Sequence, residues 1–273
     1  MDTPVLWQFT SSHFNEKARW ALDFKHVAHV RRSLVPGFHV FTVKRMTGKT
    51  HVPVLQMDGK SISDSTRIIE ALEAAVPEPA LYPSNAEERR RALELEDFFD
   101  EELGPHIRRW VFFLLRSNPE FVRALFVSHA GPVTQFAHRA MTPLIGRVMR
   151  RQMDITPASA EVARVKTLAA MDRLAKEVRP SGYLVADRFT VADLTAAALL
   201  SPLVRPPEFP YRTSVALPEP IAEARDSLTS HPAFQWTLQT YRQHRGESAE
   251  IPLAVANSSR AVKATGAAAV ERR

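Results

Sequence analysis

Residues 52–55 (Val-Pro-Val-Leu) and the segment that follows them constrain the fold of this chain more than any other feature. An Asp-Gly pair at 58–59 comes next, and Asp64 and Ser65 then open an amphipathic stretch. Asp-Gly between two apolar runs is a strong β-hairpin signal, because the turn requires positive φ, which glycine adopts without cost. A proline at the head of a strand removes a ladder donor, and Pro53 is a candidate for a cis peptide bond. The sequence therefore predicts a proline corner, a hairpin and a helix with a polar start.

The pattern of residues 1–80 alternates between strand and helix. A buried strand is predicted at 5–9, an amphipathic helix from Ser12, and a second strand at 28–34. An irregular section through residues 36–37 leads to the hairpin, and a helix from about 65 to 73 follows. The order β-α-β, irregular, β-β-α predicts a small α/β domain of thioredoxin type.

An all-helical domain is predicted over residues 85–245. Prolines at 77, 79 and 83 separate it from the first domain, because no continuous helix can pass through them. Helices are predicted at 86–116, at 118–151 with breaks near 131–132 and 143, and at 156–178, 190–200, 219–228 and 233–244. Residues 246–273 are predicted to be a loosely ordered tail. The fold class is thus α/β plus all-α, an N-terminal thioredoxin-like domain followed by a C-terminal helical bundle.

Composition excludes several kinds of chemistry. The chain has no cysteine, which excludes disulfides, thiolate metal ligands and a cysteine nucleophile, and its histidines lack metal-ligand spacing, so no metal is expected. No apolar run has the length of a membrane span, so we expect a cytoplasmic protein without a membrane partner. The net charge is +6, but arginines are interleaved with acidic residues. We therefore expect no nucleic-acid partner, and a basic surface that attracts small anions.

Two helix starts carry polar groups that suit a charged ligand. The Ser12 hydroxyl lies beside converging N–H donors, which would favour the ionised form of a thiol held there. The same hydroxyl could instead serve only as the N-cap of the helix, and spacing alone leaves both interpretations open. Asp64 and Ser65 place a carboxylate and a hydroxyl at another helix start, where an anionic or zwitterionic ligand is favoured.

Over about residues 4–245 the chain resembles the cytosolic glutathione transferases of the serine type. Residues 12–19 (Ser-His-Phe-Asn-Glu-Lys-Ala-Arg) resemble the active-site loop and first helix of that family, and residues 52–55 with 64–65 resemble its glutathione-binding core. Residues 190–193 (Thr-Val-Ala-Asp) resemble the capping box of a buried helix in its all-α domain. His13 departs from the pattern because proline is usual there, and Ser11 offers a second hydroxyl. Both serines therefore remain candidates.

The resemblance implies how glutathione would be held. Val52 would give backbone hydrogen bonds to the cysteinyl part, with Pro53 in the cis form. Ser65 would hold the γ-glutamyl carboxylate and Asp64 the γ-glutamyl amine. At the glycyl carboxylate, a polar or basic side chain is expected from one of two neighbouring positions, namely His51 or Lys49.

The resemblance implies catalysis by a hydroxyl, with Ser12, or else Ser11, stabilising the glutathione thiolate. Aromatic side chains at helical spacing are typical of a helical core, and they are also candidates for lining an apolar substrate pocket; these candidates are Phe14, Trp110, Phe112, Phe113 and Phe126. The implied activity is conjugation of glutathione to an electrophilic apolar small molecule, and a glutathione-dependent peroxidase activity would use the same site. The alternative is a non-catalytic binding or scaffold protein in which Ser12 only caps the helix.

The family also implies a homodimer. The helix that starts at Ser65 and the long helix from residue 86 would face the partner subunit. Arg67 and the acidic stretch 97–102 would then supply opposite charges at the edge of the contact.

Overall fold

A computed structural model of the chain describes residues 2–252. The amino-terminal elements are β1 (Val5–Gln8), α1 (His13–Phe24), β2 (Val30–Ser33), α2 (His39–Thr47), β3 (Val54–Met57), β4 (Lys60–Ser63) and α3 (Ser65–Ala75). The sheet order is β2-β1-β3-β4, in which β1 and β2 are parallel and β3 is antiparallel to both β1 and β4. This is the thioredoxin-like arrangement that the sequence predicted.

The proline corner and the hairpin have the predicted geometry. The Val52–Pro53 peptide bond is cis, and the turn between β3 and β4 has positive φ at both Asp58 (49°) and Gly59 (75°). The section after β2, however, is not irregular, because residues 39–47 form helix α2. The sequence hid this helix because only Val43 of its residues is buried, so the apolar periodicity is weak.

The second part of the chain is helical. Its elements are α4 (Ala86–Phe98), a π-helical turn (Phe99–Leu103), α5 (Gly104–Leu114), a short 3₁₀ turn (Leu115–Ser117), α6 (Pro119–Val127), α7 (Pro132–Gln152), α8 (Pro157–Glu177), α9 (Val191–Val204), α10 (Glu219–Asp226) and α11 (Pro232–His244). The long helix predicted over 86–116 is therefore divided by the π-helical turn. The break predicted at Pro143 does not occur, since α7 continues through it. Within residues 2–252 every helix is too short or too polar to span a membrane.

The sequence predicted a loosely ordered tail from Gly246. In the structure the residues directly after α11 instead pair with the sheet. The His29 N–H donates to the Ala249 carbonyl at 3.3 Å, and the Ile251 N–H donates to the His29 carbonyl at 2.8 Å. The Ala249 N–H also donates to Asp23 Oδ1 at 2.9 Å. Backbone pairing of this kind needs no apolar pattern, so composition could not reveal it. The rest of the predicted tail, residues 253–273, lies outside the described residues.

Helix α9 forms the centre of the helical domain, and all of its residues except Pro202 are buried. Asp193, the third residue of α9, binds the N-cap residue Thr190. Its Oδ2 accepts from the Thr190 N–H at 2.9 Å and from the Thr190 hydroxyl at 2.8 Å. Asp193 Oδ1 accepts from the Leu184 N–H at 2.9 Å. The predicted capping box is confirmed. Burial raises the pKa of Asp193 to about 6 even though these donors lower it.

The Asp193→Ala variant should lower the free energy of unfolding by about 2–4 kcal/mol, because it removes a helix cap and leaves buried N–H groups without acceptors. Urea denaturation measures this change. Thr156→Ala removes the exposed capping box at the start of α8 and serves as the matched control, with an expected loss of about 0.5–2 kcal/mol. Equal losses in the two variants would contradict the importance of burial at Asp193.

Candidate active site

A cavity of about 1300 Å³ lies between the α/β domain and the helical domain. Its walls come from the β1–α1 loop, the start of α1, the segments around residues 36–40 and 50–52, helices α5, α6 and α7, and the loop after α9. Binding sites for single small ligands usually occupy about 300–1,000 Å³. This cavity therefore has room for more than one small molecule.

The two candidate serines differ in their hydrogen bonding. Ser11 and Ser12 both border the cavity. The Ser11 hydroxyl donates to the Leu125 carbonyl of α6 at 2.9 Å, so it already has a partner. Ser12 occupies the N-cap position of α1 with extended backbone (φ −86°, ψ 129°), yet its side chain makes no capping hydrogen bond. The interpretation of Ser12 as a cap alone therefore does not hold, and its hydroxyl is available to a ligand.

His13 is buried and uncharged, and its ring links two helices. Its Nε2 lies 2.9 Å from the Gly104 carbonyl oxygen, and because a carbonyl only accepts, this nitrogen carries the proton. Burial, and after it the positive charge of Arg108, lowers the pKa of His13 to about 3, although the Gly104 carbonyl opposes the shift. His13 therefore ties the start of α1 to the start of α5 and is not an acid–base group at neutral pH.

Phe14 is held against the same glycine. A Cβ placed on Gly104 would lie 2.4 Å from Phe14 Cζ, so only glycine permits this approach. Gly104 follows the π-helical turn directly, and the extra residue of such a turn re-aims the helix after it. The two residues after Ser12 thus fix the start of α1 through a single glycine of α5.

Helix α1 carries charged side chains into the interior. Its carboxylates pair there with an arginine of α1 itself, one of β2 and one directly after α11. Arg19 Nε lies 2.8 Å from Glu16 Oε2, and Arg245, just after α11, lies 2.6 Å from Glu16 Oε1. Arg31 of β2 lies 2.6 Å from Asp23 Oδ2, which also accepts from Arg245 at 2.9 Å. Burial would raise the pKa of Asp23, but Arg31 and Arg245 lower it below its usual value. These pairs tie α1, whose first residues border the cavity, to β2 and to the residue after α11.

The second helix start lies next to the proline corner. The Asp64 N–H donates to the Pro53 carbonyl at 3.4 Å. Asp64 has φ of 87° and its carboxylate caps α3, accepting from the Thr66 N–H at 2.9 Å and the Arg67 N–H at 3.4 Å. This cap leaves the Ser65 N–H and hydroxyl to other partners. Val52 borders the cavity, whereas Asp64 and Ser65 lie outside its lining.

The loop before β3 holds the two candidates for the glycyl end. His51 and Lys49 are both exposed, but only His51 borders the cavity. His39, which sequence reasoning did not single out, lies beside this loop, with its Nε2 3.1 Å from the Thr50 carbonyl oxygen. Burial lowers the pKa of His39 although the Thr50 carbonyl raises it, so this imidazole is neutral at physiological pH and donates to Thr50. Nothing in the sequence pattern marked His39, because its helix was itself missed.

Two of the aromatic residues predicted for the substrate pocket lie outside it. Phe14 borders the cavity, whereas Trp110 is only 7% exposed and belongs to the core. The Phe113 ring instead packs under the guanidinium of Arg116, with 4.0 Å between Arg116 Cζ and the ring centroid. The cavity-facing residues of α5 are Arg108, Val111 and Phe112, and Leu115, the first residue after the helix, continues this face. These follow the spacing i, i+3, i+4, i+7 of one helix face, which residues 110 and 113 do not share. The prediction failed because the sequence did not reveal which face of α5 is turned inward.

The fold agrees with comparisons to known proteins. Residues 6–80 match the family model of the glutathione S-transferase N-terminal domain. By sequence as well as by fold, residues 6–80 form a glutathione S-transferase N-terminal domain. No curated protein sequence matches the chain significantly.

Solved glutathione transferase structures share the fold over most of their length. The β-etherase LigF from Sphingobium sp. strain SYK-6 is 21% identical, with a TM-score of 0.57 over 87% of this chain and 99% of that chain. A glutathione S-transferase from Xanthobacter autotrophicus is 17% identical, with a TM-score of 0.58 over 87% and 91%. One from Methylobacterium radiotolerans, in complex with glutathione sulfonate, is 22% identical, with a TM-score of 0.54 over 86% and 94%. These likenesses show the shared fold.

The His13→Gln variant should make folding less sensitive to acid. The unfolded His13 takes up a proton below about pH 6.5, whereas the folded imidazole resists until about pH 3, so its contribution to stability is lost as the pH falls through that window. One such group changes the free energy of unfolding by about 1.4 kcal/mol per pH unit. Glutamine keeps an N–H donor for Gly104 but removes the titration. Denaturant unfolding between about pH 4.5 and 6 measures the slope, and an unchanged slope would contradict this account.

Proposed function

We propose that the protein is a glutathione transferase that conjugates glutathione to an electrophilic, largely apolar small molecule, with removal of reactive electrophiles as its role. The observation that carries the proposal is the Ser12 hydroxyl. It stands at the start of α1, makes no capping hydrogen bond and borders a cavity with room for two ligands. The Methylobacterium structure, which contains glutathione sulfonate, supports glutathione as the co-substrate.

In the proposed reaction, Ser12 donates a hydrogen bond to the sulfur of glutathione, and the N-terminus of α1 adds positive potential. Both effects favour the thiolate, which is the nucleophilic form. The thiolate then attacks an electrophilic carbon to form a C–S bond. In a substitution the leaving group departs with its electron pair, and the thiol proton goes to solvent. The neutral His13 takes no part in proton transfer.

The remaining glutathione contacts are proposed from the helix starts and the proline corner. The Val52 backbone pairs with the cysteinyl part, next to Pro53. Ser65 holds the γ-glutamyl carboxylate with its hydroxyl and N–H, because the Asp64 cap leaves these free for a ligand. Asp64 contributes its negative charge to the γ-glutamyl amine.

The glycyl carboxylate then lies towards the loop before β3, near His51, with Lys49 as the second candidate at this exposed edge.

An aromatic part of the cavity wall supports an apolar electrophile. Phe112 and Phe126 border the cavity and stack with ring centroids 6.2 Å apart and planes 19° apart. Phe9 meets Phe126 edge to face, with centroids 6.1 Å apart. A flat aromatic or long apolar substrate would bury its surface against these rings. The chemistry at the sulfur and this apolar wall together favour conjugation over a purely structural role.

Replacing Ser12 with alanine should raise the pKa of the bound glutathione thiol by about one to two units, because a hydrogen bond to a charged group is worth roughly 1.5–3 kcal/mol. Spectroscopic titration of the bound thiol measures the shift, and turnover of a generic aromatic electrophile should fall with it. Ser11→Ala is the matched control, since its hydroxyl is already bonded to Leu125. A shift confined to Ser11→Ala would reverse the assignment. Tight glutathione binding without turnover on a broad electrophile panel would favour the non-catalytic alternative.

We also propose a homodimer in which α3 and α4 face the partner subunit. Arg67 is suited to the rim of such a contact because its side chain is 72% exposed. Of the acidic stretch, Asp100 pairs with Lys17 and Glu102 with Lys166 within the subunit, which leaves Asp97 and Glu101 as the exposed carboxylates without such a partner. Closed two-fold pairing is the commonest arrangement of soluble oligomers.

Light scattering at micromolar concentration should therefore give about twice the chain mass of 30.7 kDa. The mass should persist at high salt, because the bulk of the contact is expected to be apolar and surface ion pairs contribute little. A mass near that of one chain would show a monomer and would remove Arg67 from any role between subunits.

A further inference from the structure

The cavity is lined mainly by apolar residues, but the charged residues on its wall are basic. Seven arginines border it, and among the described residues that form its lining there is no aspartate or glutamate. The positive potential of these arginines is therefore not cancelled by carboxylates on the cavity wall. A concave site lined by one sign of charge concentrates ligands of the opposite sign.

Arg108 is the arginine whose surroundings are most unusual. It lies on the inner face of α5 beside Val111 and Phe112, and its Nε is buried without a hydrogen-bond partner. Burial lowers the pKa of Arg108, the neighbouring Arg109 lowers it further, and no acidic group opposes them. A buried guanidinium without a carboxylate is costly, because its lost hydration is not replaced.

The buried arginines of residues 2–252, Arg19, Arg31 and Arg245, show what is missing at this position. Arg19 and Arg245 pair with Glu16, and Arg31 pairs with Asp23, at 2.6–2.8 Å. The chain thus supplies carboxylates to these three guanidiniums but none to Arg108. The difference indicates that the partner of Arg108 comes from outside the chain.

We propose that Arg108 binds a carboxylate or sulfonate group of the second substrate, so that the preferred electrophile is a bulky apolar molecule carrying one negative charge. Arg108 also lies close enough to His13 to affect the charge state of its ring, and His13 directly follows Ser12. The anionic group would therefore lie at the inner end of the cavity, on the α5 side of the sulfur. That the ligand is a substrate depends on the proposed transferase function, whereas the anion site depends only on the cavity.

A pair of fluorescent probes tests the anion site without catalysis. 8-Anilinonaphthalene-1-sulfonate and N-phenyl-1-naphthylamine have the same aromatic frame and differ by the sulfonate. In Arg108→Gln the Kd of the sulfonate probe should rise about tenfold or more, the loss expected for one charge-assisted hydrogen bond, and that of the neutral probe far less. Arg109→Gln is the matched control, because Arg109 is adjacent but donates to the Met153 carbonyl at 2.7 Å and lies outside the cavity lining.

Each outcome of this experiment bears on the proposal. Equal weakening of both probes would show that Arg108 only shapes the cavity, and unchanged sulfonate binding would show that it binds no anion, so either result overturns the proposal. If Arg109→Gln and Arg108→Gln changed the ratio of the two probes' Kd values equally, the sulfonate would respond only to the overall positive charge of this region. That result would also overturn the proposal. Glutathione affinity, measured in parallel, should stay within about twofold of wild type, because less than one hydrogen bond is then lost. Parallel loss of glutathione binding would assign Arg108 to glutathione instead.

Turnover by the wild-type protein gives a second measurement if Arg108→Gln fails to fold. 4-Chloro-3,5-dinitrobenzoate carries a carboxylate, and 1-chloro-2,4-dinitrobenzene does not. After division by the uncatalysed rates, kcat/KM should be higher for the benzoate, and added salt should lower it for the benzoate alone. No preference for the benzoate would overturn the proposal. No turnover of either compound, with sulfonate binding still dependent on Arg108, would contradict the transferase function and leave the anion site standing.

Discussion

The buried contacts of Lys17 join the parts of the structure on which the proposed site depends. The Lys17 ammonium lies 2.8 Å from Glu96 Oε1 and also contacts Asp100, and it donates to the Thr66 hydroxyl at 2.9 Å. Burial would lower the pKa of Lys17, but Asp100 and Glu96 raise it above its usual value, so Lys17 is charged. Burial raises the pKa of Glu96, although the charge of Lys17 opposes this shift. Removing one partner of such a buried pair typically costs about 3–5 kcal/mol. This one side chain thus fixes the helix behind Ser12, the start of α3 and the π-helical turn of the other domain relative to one another.

The features that sequence predicted are those that depend on a few neighbouring residues. The Asp58 turn needs positive φ, Pro53 is cis, and the Thr190–Asp193 capping box is made within four residues. The position of Ser12 at the start of α1 followed from the amphipathic pattern after it. Because each of these is a local requirement of backbone geometry or helix ends, the order of elements and the fold class followed from them.

The features that sequence could not predict depend on contacts between distant residues. Trp110 and Phe112 are two positions apart on α5, and only the docking of that helix decides that Phe112 faces the cavity. The close approach of Phe14 to Gly104 depends on the π-helical turn, for which the pattern gave no signal. Arg108 was one basic residue among 36 lysines and arginines, and its lack of a carboxylate partner is visible only when its surroundings are known. The site is thus predictable where it follows the backbone and unpredictable where it depends on helix packing.

The central claim is that the start of α1 holds the sulfur of glutathione against Ser12 while the start of α3 holds the γ-glutamyl end. A crystal structure of the protein with glutathione bound tests both parts together. The account predicts the sulfur within hydrogen-bonding distance of Ser12 Oγ, inside the cavity, with the γ-glutamyl carboxylate on the Ser65 N–H and hydroxyl. Glutathione with its sulfur beside Ser11, or bound away from the Val52–Pro53 corner, would contradict it.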